Sequence, residues 1–209
     1  MKKLVAISDT HSLHKHLTIP KCDMLIHAGD FTGNGCLNHL MDFAKWMSQQ
    51  PAKYKIVVAG NHDEIAEKSP DTTLTVFKEY GIIYLCNNEV IIDGIKIFGS
   101  PYTPMFCNWH FMMFDDDLGY EVWDKIPLDT NILITHGPMY GALDYVASSY
   151  GSHNCGSKSL ANKMSELLDL KYHIFGHIHY SYGQKNKHFN VSSCNEGYTI
   201  SNKPVELNY

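Results

Sequence analysis

Five short polar clusters carry the residue types that hold metal ions. They are Asp9-x-His11, Gly29-Asp30, Gly60-Asn61-His62-Asp63, His136-Gly137 and Gly176-His177-x-His179. Each is ordinary alone. Gly-Asp and Gly-Asn are common turns, an Asp-x-His arises by chance, and a single histidine after a strand is usually a hydrogen-bonded structural residue. The His177-x-His179 pair is less ordinary, because residues i and i+2 converge on one ion where a strand opens into a loop. Together the clusters offer two carboxylates (Asp9, Asp30), four imidazoles (His11, His136, His177, His179) and one amide (Asn61). A nitrogen and oxygen set without thiolate suits Mn, Fe, Zn, Co or Ni. Seven donors exceed what one ion takes from the protein in an open catalytic site. They fit two ions about 3.5–4 Å apart that share a carboxylate.

Such a site requires elements that bring all five clusters to one place. Each cluster follows an apolar, β-rich run: residues 4–8, 24–28, 54–59, 131–135 and 172–175. In α/β sheets the carboxyl ends of strands are where ligands bind. The first 63 residues therefore read strand, loop, strand, helix, strand. The helix is set by Leu37, Leu40, Met41, Ala44 and Met47, at helical spacing up to about Gln50, and closed by Pro51. A second helix is predicted over 71–80 with Asp71 as its cap, a third over 158–170 capped by Ser157, and a turn or two of helix over 120–124. Two apolar runs around Asp93-Gly94 predict a hairpin. Residues 100–114 read as a long, partly buried loop, and 148–156 as a loop of small residues. The tail alternates short β segments around 189–191 and 205–207. The pattern predicts one α/β domain over 1–209 with two sheets, the early half largely parallel and the later half containing hairpins.

Composition narrows the class. The chain has 209 residues, 44% of them apolar, enough for a packed core. No apolar run approaches the roughly 20 residues of a spanning helix. Lys2 and Lys3 precede only four apolar residues, too few for an export signal, so the expectation is a cytoplasmic protein without a membrane partner. Cys22 and Cys36 are the nearest cysteines in sequence, 14 residues apart, which predicts reduced, mostly buried thiols. The net charge is −5 and all 17 basic residues are lysines. Arginine is the usual reader of guanine edges and phosphates. Its absence, with the negative charge, speaks against a nucleic-acid partner and leaves phosphate binding to metals, lysine, histidine, asparagine or backbone N–H groups.

The order D-x-H, GD, GNH followed by D or E, H, and GHxH resembles the calcineurin-like metallophosphoesterases, over residues 4 to about 180. The stretches D-T-H-S, H-A-G-D-F-T, Y-K-I-V-V-A-G-N-H, G-S-P-Y-T-P-M-F and I-L-I-T-H-G-P are similar to the branch of metallophosphoesterase-domain-containing proteins. Members of that branch act on phosphodiesters, including cyclic nucleotides. The resemblance implies a two-sheet β-sandwich flanked by helices in four layers. It implies that Asp9, His11 and His179 hold one divalent ion and Asn61, His136 and His177 a second, with Asp30 bridging them. Mn²⁺ is the expected metal. It also implies attack on phosphorus by a metal-bridged hydroxide, with His62 as general acid. Many members read GDxxD in the second block, and this chain reads Gly29-Asp30-Phe31-Thr32-Gly33. The second carboxylate, which orients the catalytic histidine, is thus replaced by glycine. A weaker acid would favour good or strained leaving groups such as those of cyclic phosphodiesters.

Three functions compete on this scaffold. The first is a hydrolase of small phosphodiesters or nucleotides. The second is a nucleotide-binding module with little turnover, disfavoured by the complete ligand set. The third is a nuclease or phosphoprotein phosphatase, disfavoured by charge. Homo-oligomerisation is left open. Substrate contacts are expected from Asn61 and His62, from Trp109 as a wall for a base among Tyr102, Phe106 and Phe111, and from Asn154, which precedes a helix with Ser157. For Trp109 the competing reading is a small satellite core, and for Asn154 simple helix capping. Asp115-Asp116-Asp117 reads as a solvated turn or helix start. Most of the remaining histidines read as structural or surface residues, His27 as a core one; for His110 and His153, in the two irregular loops, contact with substrate is the competing reading.

Overall fold

Apolar residues alternate along the parallel strands, and that alternation decides how many layers the chain builds. In the computed structural model, which describes residues 1–148 and 151–209, the elements run β1 (Lys3–Ile7), β2 (Cys22–Ala28), α1 (Leu37–Ser48), β3 (Ala52–Val58), α2 (Glu64–Lys68), α3 (Pro70–Glu79), β4 (Ile83–Tyr84), β5 (Asn88–Ile92), β6 (Ile95–Ser100), β7 (Thr103–Pro104), β8 (Met112–Met113), α4 (Asp117–Trp123), β9 (Ile132–Thr135), β10 (Tyr145–Ser148), β11 (Gly151–Asn154), α5 (Lys158–Met164), β12 (Tyr172–Phe175), β13 (Gly183–Lys185), β14 (His188–Asn190) and β15 (Val205–Asn208). One sheet has the order β15-β1-β2-β3-β4, the other β13-β14-β12-β9-β6-β5. In the first, β1 to β4 are parallel, with Leu4 opposite Met24 and Ile26 opposite Ile56, and β15 returns antiparallel along β1. In the second, β6, β9, β12 and β14 are parallel, with Ile97 opposite Ile132, and β5 and β13 close the edges antiparallel. Parallel pairing thus extends into the later half of the chain as well.

Leu4, Ala6, Met24, Ile26, Ile56 and Val58 share one buried cluster with Ile97, Ile132, Ile134 and Ile174, the core between the sheets. The intervening Val5, Ile7, Leu25 and Val57 cluster with Leu40, Phe43 and Met47 of α1 and Phe77 of α3. On the second sheet Phe98 and Leu133 cluster with Trp123 of α4 and Leu160 and Met164 of α5. The order is helix, sheet, sheet, helix, as expected. Each fully buried aliphatic side chain contributes roughly 1.5–3 kcal/mol by leaving water. No helix among the described residues is long and apolar enough to cross a membrane.

Local differences have local causes. The hairpin turns on Asp93 and Gly94, both at positive φ (53° and 80°), the geometry an Asp-Gly turn permits. Helix α3 starts at Pro70 after Ser69, one residue before the expected cap, because proline fits the first helical position. Helix α5 stops at Met164; the N–H groups of Ser165, Glu166 and Leu167 bond three residues back, in tighter turns that still bury Leu167 and Leu170. Residues 145–148 and 151–154 pair as a hairpin where a loop was expected, while Ser149 and Tyr150 lie outside the described residues. All six cysteines are free, but only Cys22 and Cys194 are buried.

Candidate metal centre

The strands that precede the five clusters, β1, β2, β3, β9 and β12, end on one side of the two sheets. There the chain turns sharply. Asp9, His11, Asp30 and His177 all hold left-handed backbone (φ 51°, 42°, 56° and 70°), a conformation that costs a non-glycine residue about 1–3 kcal/mol and persists only where surroundings enforce it. Backbone bonds from Asp9 N to Gly29 O (2.9 Å) and from His11 N to Asp30 O (3.0 Å) enforce it here. Close approach explains the glycines of the motif. A Cβ on Gly60 would lie 2.3 Å from Asp30 Oδ1, and one on Gly176 2.0 Å from Asp9 Oδ2.

The ligand-type atoms converge. His11 Nε2 lies 3.2 Å from His179 Nε2 and 3.9 Å from Asp30 Oδ2. His179 Nε2 lies 3.4 Å from Asp9 Oδ1, and His136 Nε2 lies 3.5 Å from Asp30 Oδ2 and 2.9 Å from Asn61 Oδ1. Three overlapping groups have atoms within 4.8 Å of one another: Asp9, His11 and His179; His11, Asp30 and His62; Asp9, Asp30 and His136. His177 belongs to none of the three. Its N–H donates to Asp9, and its ring packs 4.9 Å from that of His136. Asp9, His11 and Asp30 each belong to two of the groups, and Asp30 Oδ2 lies between His11 Nε2 (3.9 Å) and His136 Nε2 (3.5 Å).

These residues fit divalent ions. His136 Nδ1–H donates to Ala28 O (3.0 Å) and His179 Nδ1–H to Asn195 O (3.0 Å), so each presents Nε2 inward. Both Nε2 atoms face carboxylate or amide oxygens, an arrangement held together by positive charge: a proton on each Nε2 in the metal-free protein, which a divalent ion would replace. Electrostatics agree. Against burial, which favours neutral carboxyls, the surrounding imidazoles hold Asp9 and Asp30 well below the usual carboxylate range. Against burial again, Asp30 raises His136 to about 9 and Asp9 raises His179 to about 8. Burial keeps His11 and His177 neutral, at about 4 and about 3.

His62 stands at the mouth. Its N–H donates to Asp30 Oδ1 (2.8 Å), and its Nδ1–H donates to the carbonyl of Gly33 (3.2 Å). The glycine that replaces the expected carboxylate thus supplies an acceptor through its backbone. Asp63, to which the sequence reading gave no role, is fully buried. It accepts from Thr32 N, Thr32 Oγ1, Gly60 N and Phe31 N, tying the second cluster to the third. Its place in the GNHD block was the available signal. Ser192 had none. Its hydroxyl lies 2.9 Å from Asp9 Oδ2 and 2.8 Å from Asn190 Oδ1, brought there by the β14 tail. Tyr198 was also missed; its ring sits 4.8 Å from that of His11.

A cleft of about 760 Å³ opens over the centre, lined by Asp30, Asn61, His62, His177 and His179 below and by Phe106, Trp109, His153, Cys155 and Tyr198 at the sides. The aromatic segment divides. Phe111 is buried and packs edge-on to Tyr102 at 5.9 Å, whereas Phe106 and Trp109 are exposed at the cleft. Asn154 lies outside the lining. It is exposed on β11, where alternation turns its neighbours His153 and Cys155 to the cleft. The start of α5 is filled from within: Ser157 Oγ accepts from Leu160 N (2.9 Å), and Asp115 accepts from Lys158 N (2.6 Å) and Ser159 N (3.3 Å). Asp115 is therefore a capping residue of α5, while Asp117 opens α4, the helix start that was one of the two readings of this triplet, and the N–H groups at this end of α5 already have acceptors.

Residues 2–181 match the model of the calcineurin-like phosphoesterase family. A UPF0046 protein of Caenorhabditis elegans is 39% identical, covering 97% of this chain and 73% of its own length. The human metallophosphoesterase domain-containing protein 1 is 33% identical, covering 98% of this chain and 70% of its own. The crystal structure of TT1561 of Thermus thermophilus superimposes with a TM-score of 0.62 at 13% identity, over 93% of this chain and 89% of that one. The chain belongs to the calcineurin-like phosphoesterases, hydrolases of phosphoesters that work with divalent metal ions.

Proposed function

We propose that the chain hydrolyses small phosphodiesters, cyclic nucleotides among them, at a two-metal centre held by Asp9, His11, Asp30, Asn61, His136, His177 and His179, with Mn²⁺ as the preferred ion. The observation that carries the reading is the convergence of imidazole nitrogens and carboxylate oxygens of Asp9, His11, Asp30, His136 and His179 in overlapping groups, the atoms of each group within 4.8 Å of one another. When bound, two divalent ions supply a deprotonated water at neutral pH and neutralise charge on the phosphate. The chain's own residues do the rest. His62, fixed through Nδ1, keeps Nε2 for the substrate. Its Nε2–H proton passes to the ester oxygen as the P–O bond breaks and the electron pair leaves with that oxygen. General acid catalysis of this kind is worth roughly 10²–10⁴-fold. A neutral carbonyl stabilises the imidazolium less than a carboxylate does, which favours diesters with good or strained leaving groups over alkyl monoesters. A cleft of about 760 Å³ suits a mononucleotide-sized ligand.

Metal-stripped protein assayed on bis-p-nitrophenyl phosphate, with and without Mn²⁺, tests the reading. Turnover restored by the metal supports it. Silence from protein that has bound two ions per chain overturns it in favour of a nucleotide-binding module.

A further inference from the structure

We infer that Trp109 is a positioning residue for His62, standing in part for the carboxylate that Gly33 replaces. The inference rests on the reading of His62 as proton donor. The Trp109 ring lies 4.4 Å from the His62 ring, its plane tilted by 32°. His11 also meets His62, edge-on at 4.6 Å and 80°. The single hydrogen bond to Gly33 O fixes one ring atom but not the tilt of the ring about that bond. These two rings, with Tyr198 farther off at 6.0 Å and 60°, restrict the tilt and so aim Nε2. Trp109 is 42% exposed, so packing into a core does not account for its place.

The segment that carries Trp109 is itself tied to the chain around His62. Glu67 accepts from Phe111 N through Oε1 (2.8 Å) and meets His110 Nδ1 through Oε2 (2.8 Å). His110 N donates to the carbonyl of Asn61, the residue before His62, at 3.4 Å. Glu67 is absent from the cleft lining. Its loss should therefore loosen the Trp109–His62 pair without removing a substrate contact.

The test uses metal-loaded protein and two aryl methyl phosphates, one with a p-nitrophenol leaving group and one with unsubstituted phenol. The readout is the ratio of their kcat values, since proton donation matters more to the poorer leaving group. His62→Ala should widen the ratio about 100-fold. Trp109→Ala should widen it about tenfold, the scale of one aromatic pair, with Trp109→Phe recovering most of the loss. Glu67→Ala should widen it in the same direction by a few-fold. A Trp109→Ala protein whose kcat falls equally on both esters, or whose KM alone rises, overturns the inference in favour of a structural or substrate-wall role. A ratio unmoved in His62→Ala is a different failure: it removes His62 as the proton donor, and the inference falls with it.

Discussion

The floor of the cleft is carried on the ends of β1, β2, β3, β9 and β12, and its wall on the 100–114 segment, the β10–β11 hairpin and the turn around Tyr198. Floor residues such as Asp9, Asp30, Asn61 and His136 are almost fully buried and anchored by backbone bonds between neighbouring clusters. Wall residues such as Phe106, Trp109 and Tyr198 are 39%, 42% and 51% exposed. The floor holds strained backbone because two packed sheets enforce it. The wall also holds left-handed residues, Cys107, Phe111 and Tyr198 (φ 50°, 52° and 53°), but on loops and turns rather than at the strand ends of the two packed sheets. Chemistry that must not move is placed on sheets, and recognition that must vary between relatives is placed on loops.

The comparison breaks if the floor tolerates change. Asp30→Ala removes a carboxylate that belongs to two of the three ligand groups and the acceptor for His62 N. The expected loss in kcat/KM is about 10³-fold or more, with fewer than two ions retained by metal analysis. An active variant that keeps both ions would show that Asp30 bridges nothing.

Support behind the floor is the next target. His27 is fully buried under Thr10, with its Nε2–H donating to Thr10 Oγ1 (2.9 Å) and its Nδ1 accepting from Gly29 N (3.3 Å). Burial lowers its pKa to about 3, and burial likewise lowers that of His14 to about 4. Both remain neutral in the fold while the unfolded chain takes up protons below its ordinary histidine pKa. Their stability contribution is therefore complete above about pH 6.5 and is lost as pH falls toward the folded values, at about 1.4 kcal/mol per pH unit for a buried histidine. Denaturant midpoints of metal-free protein from pH 7 to 4.5 should fall less steeply in His27→Gln than in the parent. Equal slopes would mean that His27 is not held neutral.

The same contrast explains what could be read without coordinates. The five clusters were legible because each is contiguous, ends an apolar run, and sits where sheet geometry gathers strand ends. Helix α1 was legible because Leu40, Ala44 and Met47 recur at one period over three turns. Ser192 was not: its hydroxyl reaches Asp9 from a tail segment 183 residues away in sequence. The partner of His62 was not either, since a backbone carbonyl leaves no letter at Gly33. Asp115 read as one of three like charges in a solvated turn or helix start, and only packing shows it capping α5 across 42 to 44 residues. The placement of Asn154 was illegible for a further reason. Between Asn154 and His153 the difference is one residue of strand register, which flips a side chain from cleft to solvent.

Ser192 and Asn154 sharpen the comparison at its weak end. Ser192→Ala removes a polar neighbour of Asp9 without touching the ligand set. Groups of this kind typically tune metal affinity by about 10–100-fold, and the lower figure is expected because His177 N still donates to Asp9. Titration of the stripped protein with Mn²⁺ reads it directly, and an unchanged affinity would confine the anchoring of Asp9 to His177 N. Asn154→Ala should do least. The side chain is exposed on β11 and outside the cleft, so a surface substitution there stays within about 0.5 kcal/mol in stability and leaves kcat/KM within about twofold. His153→Ala, one residue earlier and facing the cleft, should raise KM instead. If the two substitutions exchange effects, the register of the β10–β11 hairpin against the cleft is shifted by one residue, and the wall must be redrawn while the floor stands.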